Sequence, residues 1–203
     1  FGKTIQVATF GASHGYAIGG IVEGLPCGHT IDIDELQAFL KRRAPGQNQL
    51  QTQRKEADIP EFLAGMVDGM LSGSPLAFMI RNTSQHSGDY NNLRDIPRPS
   101  HADFTARMRY GDKVDMRGGG HFSARLTAPL CVAGGIALQL LREKGIEIHG
   151  HLKQVGTIQD TPIDMVHPDM KALAEIATEP IAMVDAGKRS EVENLVIKLK
   201  KDG

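Results

Sequence analysis

Residues 5–22, IQVATFGASHGYAIGGIV, place two stretches of β-forming residues on either side of a glycine-rich turn. Ile5 to Phe10 alternates and meets Gly11 at once, so it reads as a strand running into a tight turn, and Ile18 to Val22 reads as a second strand. The turn itself, Gly11-Ala12-Ser13-His14-Gly15, matches the G-x-S-x-G pattern of a hydrolase nucleophile elbow. An elbow sends the chain into a helix directly after the serine, whereas Gly19, Gly20, Ile21 and Val22 keep this chain extended. Serine hydrolysis is therefore the remote alternative, beside a turn that Ser13 and His14 merely stabilise.

Further along, Asp32 with Glu35 three residues on resembles a capping box. Ile33, Leu36, Phe39 and Leu40 then form an apolar helical face until Pro45 and Gly46 stop it. That helix carries Lys41, Arg42 and Arg43 at its C-terminal end, where cations also complement the helix dipole. Glu61 to Met70 and Leu76 to Arg81 read as strands, the second with Leu76, Phe78 and Ile80 on one face. From Asn82 to His121 apolar periodicity fades into Arg, Asp, Gly, Pro and His. A tract this long reads as an ordered functional loop, anchored by Pro97, Pro99, Tyr90, Phe104 and Tyr110. Gly118-Gly119-Gly120 then opens a helix that reaches about Lys144 and is closed by Gly145, starting either near Thr127 or at Ser123 with a bend at Pro129. Asp169–Thr178 and Ser190–Lys201 complete the helices, the last with Val192, Leu195, Val196 and Leu199 at helical spacing. The residues themselves thus give mixed strand and helix content.

With 203 residues, 40% hydrophobic and 23% charged, the chain can build a real core, and one domain spanning 1–203 is the default expectation. No run of eighteen or more apolar residues occurs, because Ala128 to Leu141 is interrupted by Gly134, Gly135 and Gln139. No basic leader opens the sequence, and Cys27 and Cys131 make no disulfide framework or metal spacing, so a cytoplasmic protein away from membranes is expected. A net charge of −1 argues against a general nucleic-acid surface.

Charge placement says more than the total. Lys41 to Lys55 holds Lys41, Arg42, Arg43, Arg54 and Lys55 with no acid, and Arg94 to Arg125 is rich in arginine. Two local cationic regions in a nearly neutral chain suit a small anionic ligand, although solvated charged faces give the same pattern. The glycine run at 118–120 lacks the Gly-Lys-Ser/Thr ending of a Walker A loop and the dinucleotide fingerprint. Either a tight connection or a backbone N–H cradle for an anion fits it. His101, with Arg98 three residues before and Asp103 two residues after, has the makings of a proton donor beside a phosphate-holding cation.

Three ordered segments together resemble the chorismate synthase family: GASHGYAIGGIVEGLPCG at 11–28, RPSHADF at 98–104 and GHFSARLTAPLCVAGGI at 120–136. Arg42-Arg43, Pro45-Gly46 and Gln53-Arg54 resemble its arginine-rich substrate segment. Ala12, Gln49 and His121 depart from the commonest residues at their positions. The resemblance implies an α+β fold, a layered β-α-β sandwich of antiparallel sheets and helices, assembled as a homotetramer, with a further C-terminal part of the family sequence lying beyond Gly203. It implies elimination of phosphate from C3 and hydrogen from C6 of 5-enolpyruvylshikimate 3-phosphate, using reduced FMN without net redox change, with NADPH as a candidate ultimate reductant. It assigns catalysis to His14 and His101, and substrate binding to Ser13, Arg42, Arg43, Arg98 and Arg125. Flavin contact falls to His121, Phe122 and Ser123, and no metal is implied. Two other classes make different predictions: a flavin- or phosphate-binding fragment would bind without turnover, and a structural or interaction protein would show no flavin or anion affinity.

Overall fold

The computed structural model describes residues 1–44, 56–83, 96–111 and 113–202. Pro45, Gly46, Gln49, Gln53, Arg54 and Tyr90 lie outside the described residues. The described residues form two compact units, one within residues 1–144 and the other within 145–202.

The first unit is an antiparallel sheet with two helices packed together. Strands β1 (Gln6–Gly11), β2 (Ala17–Glu23), β3 (Pro60–Ala64) and β6 (Leu76–Arg81) pair in the order β1-β2-β6-β3. The β1–β2 turn is the glycine-serine-histidine segment, and Phe10 lies opposite Gly19. Alternation works as read: Ile18 and Val22 on β2, and Leu76, Phe78 and Ile80 on β6, are all buried. Gly20 completes the β2 inward row opposite Phe78, where a Cβ would fall 2.8 Å from the Phe78 ring. Its missing side chain lets Phe78 be fully buried, a gain of about 1.5–3 kcal/mol for such a side chain. Helices α1 (Ile33–Arg43) and α3 (Thr127–Arg142) supply Leu36, Leu40, Val132, Ile136 and Leu140 to the same core.

The expected strand over Glu61 to Met70 is instead split. After β3, Gly65 turns the chain into a small hairpin of β4 (Met66–Val67) and β5 (Met70–Leu71), with Gly69 at φ +78° in its turn. The expected capping box is only half made. Asp32 accepts from the Glu35 N–H at 2.8 Å, but the Asp32 N–H goes to Gln139 on α3, while the Glu35 carboxylate pairs with Arg142. Tertiary partners on α3 thus replace the local one.

The tract from Asn82 to His121 contains a helix that composition concealed, α2 (Asp103–Tyr110). It has no side-chain cap at Ala102 and buries only Asp103 and Ala106, so neither a start signal nor an apolar stripe announced it. The helix proper after the glycines starts at Thr127, with Pro129 in its first turn, and two 3-10 stretches fill the gap, Arg117–Phe122, which is broken by left-handed glycines, and Ala124–Leu126. By length and composition Arg117–Arg142 contains an 18-residue window apolar enough to cross a membrane, with mean hydropathy 1.5, yet half of that window is buried inside the fold.

The second unit holds a short hairpin of β7 (Gln154–Val155) and β8 (Ile158–Gln159), then α4 (Met170–Ile176) and α5 (Ala186–Asp202). Ile181, Met183 and Val192 form its core. Asp169 caps α4 by accepting from Ala172, as an Asp start signal requires. The last helix begins earlier than Ser190 because Asp185 accepts from the N–H groups of Gly187 and Lys188.

Candidate active site

The β1–β2 turn buries Ser13 completely and leaves His14 only 7% exposed. The Ser13 hydroxyl donates toward the carbonyls of Arg117 (3.2 Å) and Gly118 (3.0 Å), and its oxygen lies 3.2 Å from His14 Nδ1. The Ser13 N–H bonds to the Gly120 carbonyl at 3.1 Å. A buried hydroxyl spent on backbone carbonyls, followed by strand β2 rather than a helix, has neither the exposure nor the setting of a nucleophile elbow.

The glycine run earns its composition by close approach. Gly118, Gly119 and Gly120 have φ of +58°, +89° and +55°. A Cβ on Gly118 would overlap the His14 imidazole, and one on Gly119 would sit 2.8 Å from His101 Nε2. Two histidines from segments far apart in sequence thus meet neighbouring residues of one loop. That loop does not open α3 directly, so its role is to admit the two imidazoles rather than to present a helix N-terminus.

His101 is held from its other side. A carboxylate oxygen of Asp103, at the start of α2, lies 2.6 Å from His101 Nδ1, and the ring's Nε2 side faces Gly119. Arg98 grips the same carboxylate with Nε (2.7 Å), Nη2 (2.9 Å) and its backbone N–H (3.0 Å), and Nη2 also lies 3.3 Å from His101 Nδ1. The Arg98 guanidinium, helped by its backbone N–H and opposed by burial, holds the Asp103 carboxyl well below the usual carboxylate range. Arg117 lowers Asp115 in the same way, with His14 as a further favourable charge.

A second cluster joins two of the expected substrate arginines. The buried Asp58 carboxylate accepts from Arg43 Nε at 3.0 Å and, through its other oxygen, from Arg125 Nη1. Arg125 is only 6% exposed and also donates from Nε to Asn82 Oδ1 at 3.1 Å, with Glu56 at 3.7 Å from its Nη2. Arg43 Nη1 reaches Thr127 Oγ1 at 3.3 Å. Arg42 is placed differently: its guanidinium lies 5.6 Å from the centre of the Phe39 ring on an exposed part of α1.

His121 and Phe122, expected at the flavin, are exposed and packed edge to face, and Tyr110 from α2 lies 6.1 Å from the Phe122 ring. His121 Nδ1 is 3.2 Å from the Gly11 carbonyl, tying this segment to the end of β1. Ser123 accepts from the Arg125 N–H and so caps the second 3-10 turn.

Composition showed no acid between Lys41 and Lys55 and four aspartates among the arginines of Arg94–Arg125, and in the structure Arg43, Arg98, Arg117 and Arg125 each carry a carboxylate partner. Glu56 and Asp58 stand immediately past the acid-free stretch, and only the fold brings them back over Arg43 and Arg125. Asp103 was visible as the acid beside His101. Asn82 and Asp58 carried no signal beyond being polar residues next to predicted strands.

The family model for chorismate synthase matches residues 5–203. Among curated relatives, the chorismate synthase of Lancefieldella parvula is 40% identical over 213 residues, covering 100% of this chain and 56% of that protein. Those of Bacteroides thetaiotaomicron and Ralstonia pickettii are each 43% identical over 203 residues, covering all of this chain and 55% and 53% of theirs. The chain therefore spans about half the length of the curated relatives it matches. A crystal structure of a chorismate synthase superposes with a TM-score of 0.69 at 22% identity over 99% of this chain and 54% of that one, in keeping with the expected α+β arrangement of antiparallel sheet and helices.

Proposed function

The chain belongs to the chorismate synthase family, and from that premise we propose that it carries the proton-transfer and phosphate-binding half of a lyase site acting on 5-enolpyruvylshikimate 3-phosphate. The observation that supports this most is the meeting of His14 and His101 at Gly118 and Gly119. An elimination that expels phosphate needs a proton donor at the leaving oxygen and cations around the substrate's carboxylates and phosphate. His101, oriented through Nδ1 by Asp103, can offer its Nε2 proton to the phosphate, with Arg98 as the neighbouring cation. His14 takes the separate task of controlling the proton balance next to the flavin. Ser13 orders the turn that carries it, through its buried hydroxyl bonded to the Arg117 and Gly118 carbonyls. Arg42, Arg43 and Arg125 complete the anion site.

The residues present fit a flat heteroaromatic cofactor. His121, Phe122 and Tyr110 expose three rings in series beside backbone that has no Cβ at 118–120. His121, Phe122 and Ser123 would hold reduced FMN, which when bound supplies electron density to the substrate and recovers it. NADPH as the source of reduction, a homotetrameric assembly and a cytoplasmic setting belong to the same proposal. The test is anaerobic release of inorganic phosphate from 5-enolpyruvylshikimate 3-phosphate in the presence of reduced FMN. Phosphate and chorismate in equal amounts support the proposal. Binding of FMN or substrate with no product would reduce the chain to a ligand-binding protein.

A further inference from the structure

Asn82 follows the last residue of β6 and is 9% exposed. Its side-chain amide is fully engaged. Nδ2 donates to the carbonyls of Ala12 (3.1 Å) and Gly15 (2.8 Å), and Oδ1 accepts from Arg125 Nε (3.1 Å). Its backbone N–H adds a bond to the Tyr16 carbonyl at 3.2 Å. The two carbonyls it clasps bracket Ser13 and His14, in a turn already closed by the Gly15 N–H on Ala12 at 3.0 Å. Arg125 is fixed in turn by Asp58, which also holds Arg43. One neutral side chain therefore links the histidine turn to the arginine cluster.

We infer that Asn82 is a positioning residue for His14, holding the Ala12–Gly15 turn at the height where the imidazole fits against Gly118 while reading the placement of Arg125 through its carbonyl. This rests on the reading that His14 moves a proton at this site. The chemistry requires an amide. Only a side chain with two N–H donors and one acceptor on the same planar group meets two carbonyls and a guanidinium together. A carboxylate would keep the Arg125 contact, and strengthen it as a charge-assisted bond, but would turn an acceptor toward the Ala12 and Gly15 carbonyls. Asparagine and aspartate thus separate the two halves of the clasp.

The test compares Asn82→Ala and Asn82→Asp with the unaltered protein in two readouts. The first is geometric and independent of turnover: a nuclear Overhauser contact between His14 Hε1 and the Gly118 α-protons, with the His101 to Gly119 contact as internal reference. Both substitutions should weaken the His14 contact and leave the His101 contact unchanged. The second is kinetic: kcat should fall on the order of 10²-fold, as for a catalytic group misplaced by about an ångström, with KM changing by less than about threefold. If Asn82→Asp keeps both the His14 contact and kcat, the inference is overturned and Asn82 serves Arg125 alone. If Asn82→Ala does not fold, the near-isosteric Asn82→Asp decides the matter. An unaltered protein with no turnover would count against the proposed function, and the Overhauser contact would still settle the role of Asn82.

Discussion

Replacing Gly118 by alanine tests the site at its tightest point. At φ +58° and ψ +21° the backbone lies in the left-handed region, where an L-residue costs about 1–2 kcal/mol. The new methyl would overlap the His14 ring and approach Ser13 Oγ to 2.9 Å. Relief requires His14 to leave its rotamer, about 0.5–1.5 kcal/mol, or the loop to give up a Ser13 hydrogen bond, about 0.5–1.5 kcal/mol. The total is roughly 1.5–3.5 kcal/mol, equivalent to about 3–14 °C in Tm for a protein of this size. Gly69→Ala is the control, since Gly69 has φ +78° with nothing within 4 Å of a Cβ. It should carry only the backbone cost, about 2–8 °C. Thermal melts of both variants, followed by anaerobic turnover, separate strain from collision. Gly118→Ala should lose about 10²-fold in kcat while Gly69→Ala keeps it. Equal Tm losses together with normal turnover in Gly118→Ala would refute the close fit of His14 against the loop.

Asp103→Asn should lower kcat by freeing the His101 ring. It should also change the acid profile: because the folded Asp103 pKa is depressed, its stabilising effect is complete above about pH 4, the unfolded carboxyl value, and fades as pH falls below it. Melting temperatures of variant and parent should therefore differ most above about pH 4 and converge below it, and a gap that stays constant down to about pH 2 would contradict the Arg98–Asp103 pairing. Arg43→Ala should raise the substrate dissociation constant about 10-fold or more, the worth of a charged hydrogen bond; unchanged binding at low and moderate salt would leave Arg43 as a structural partner of Asp58. Ser123→Trp should abolish FMN binding in a folded protein, and normal flavin affinity measured by fluorescence quenching would remove the 121–123 segment from the site.

Periodicity made the sheet and the principal helices legible. Ile18, Val22, Leu76, Phe78 and Ile80 alternate because one face of the sheet is buried, and Asp32 and Asp169 announce their helices by capping. What stayed hidden depends on partners distant in sequence. Helix α2 rests on the Asp103–Arg98 pair rather than on an apolar stripe. The β3–β4 break follows from Gly65 at φ +84°, pressed against the Leu76 backbone. The arginine cluster was legible as charge, but its acids Glu56 and Asp58 converge on it only through the fold. The histidines could be named from motifs, whereas their shared contact with Gly118 and Gly119 is a property of three dimensions.

The most direct measurement is anaerobic single-turnover release of phosphate from 5-enolpyruvylshikimate 3-phosphate with reduced FMN, comparing the unaltered protein with His14→Ala and His101→Ala. Two separate proton tasks predict that each variant still binds substrate but releases phosphate slower by about 10²- to 10⁴-fold. Release at the unaltered rate by either variant, across the neutral range in which imidazole titrates, would show that histidine to be structural and contradict the account.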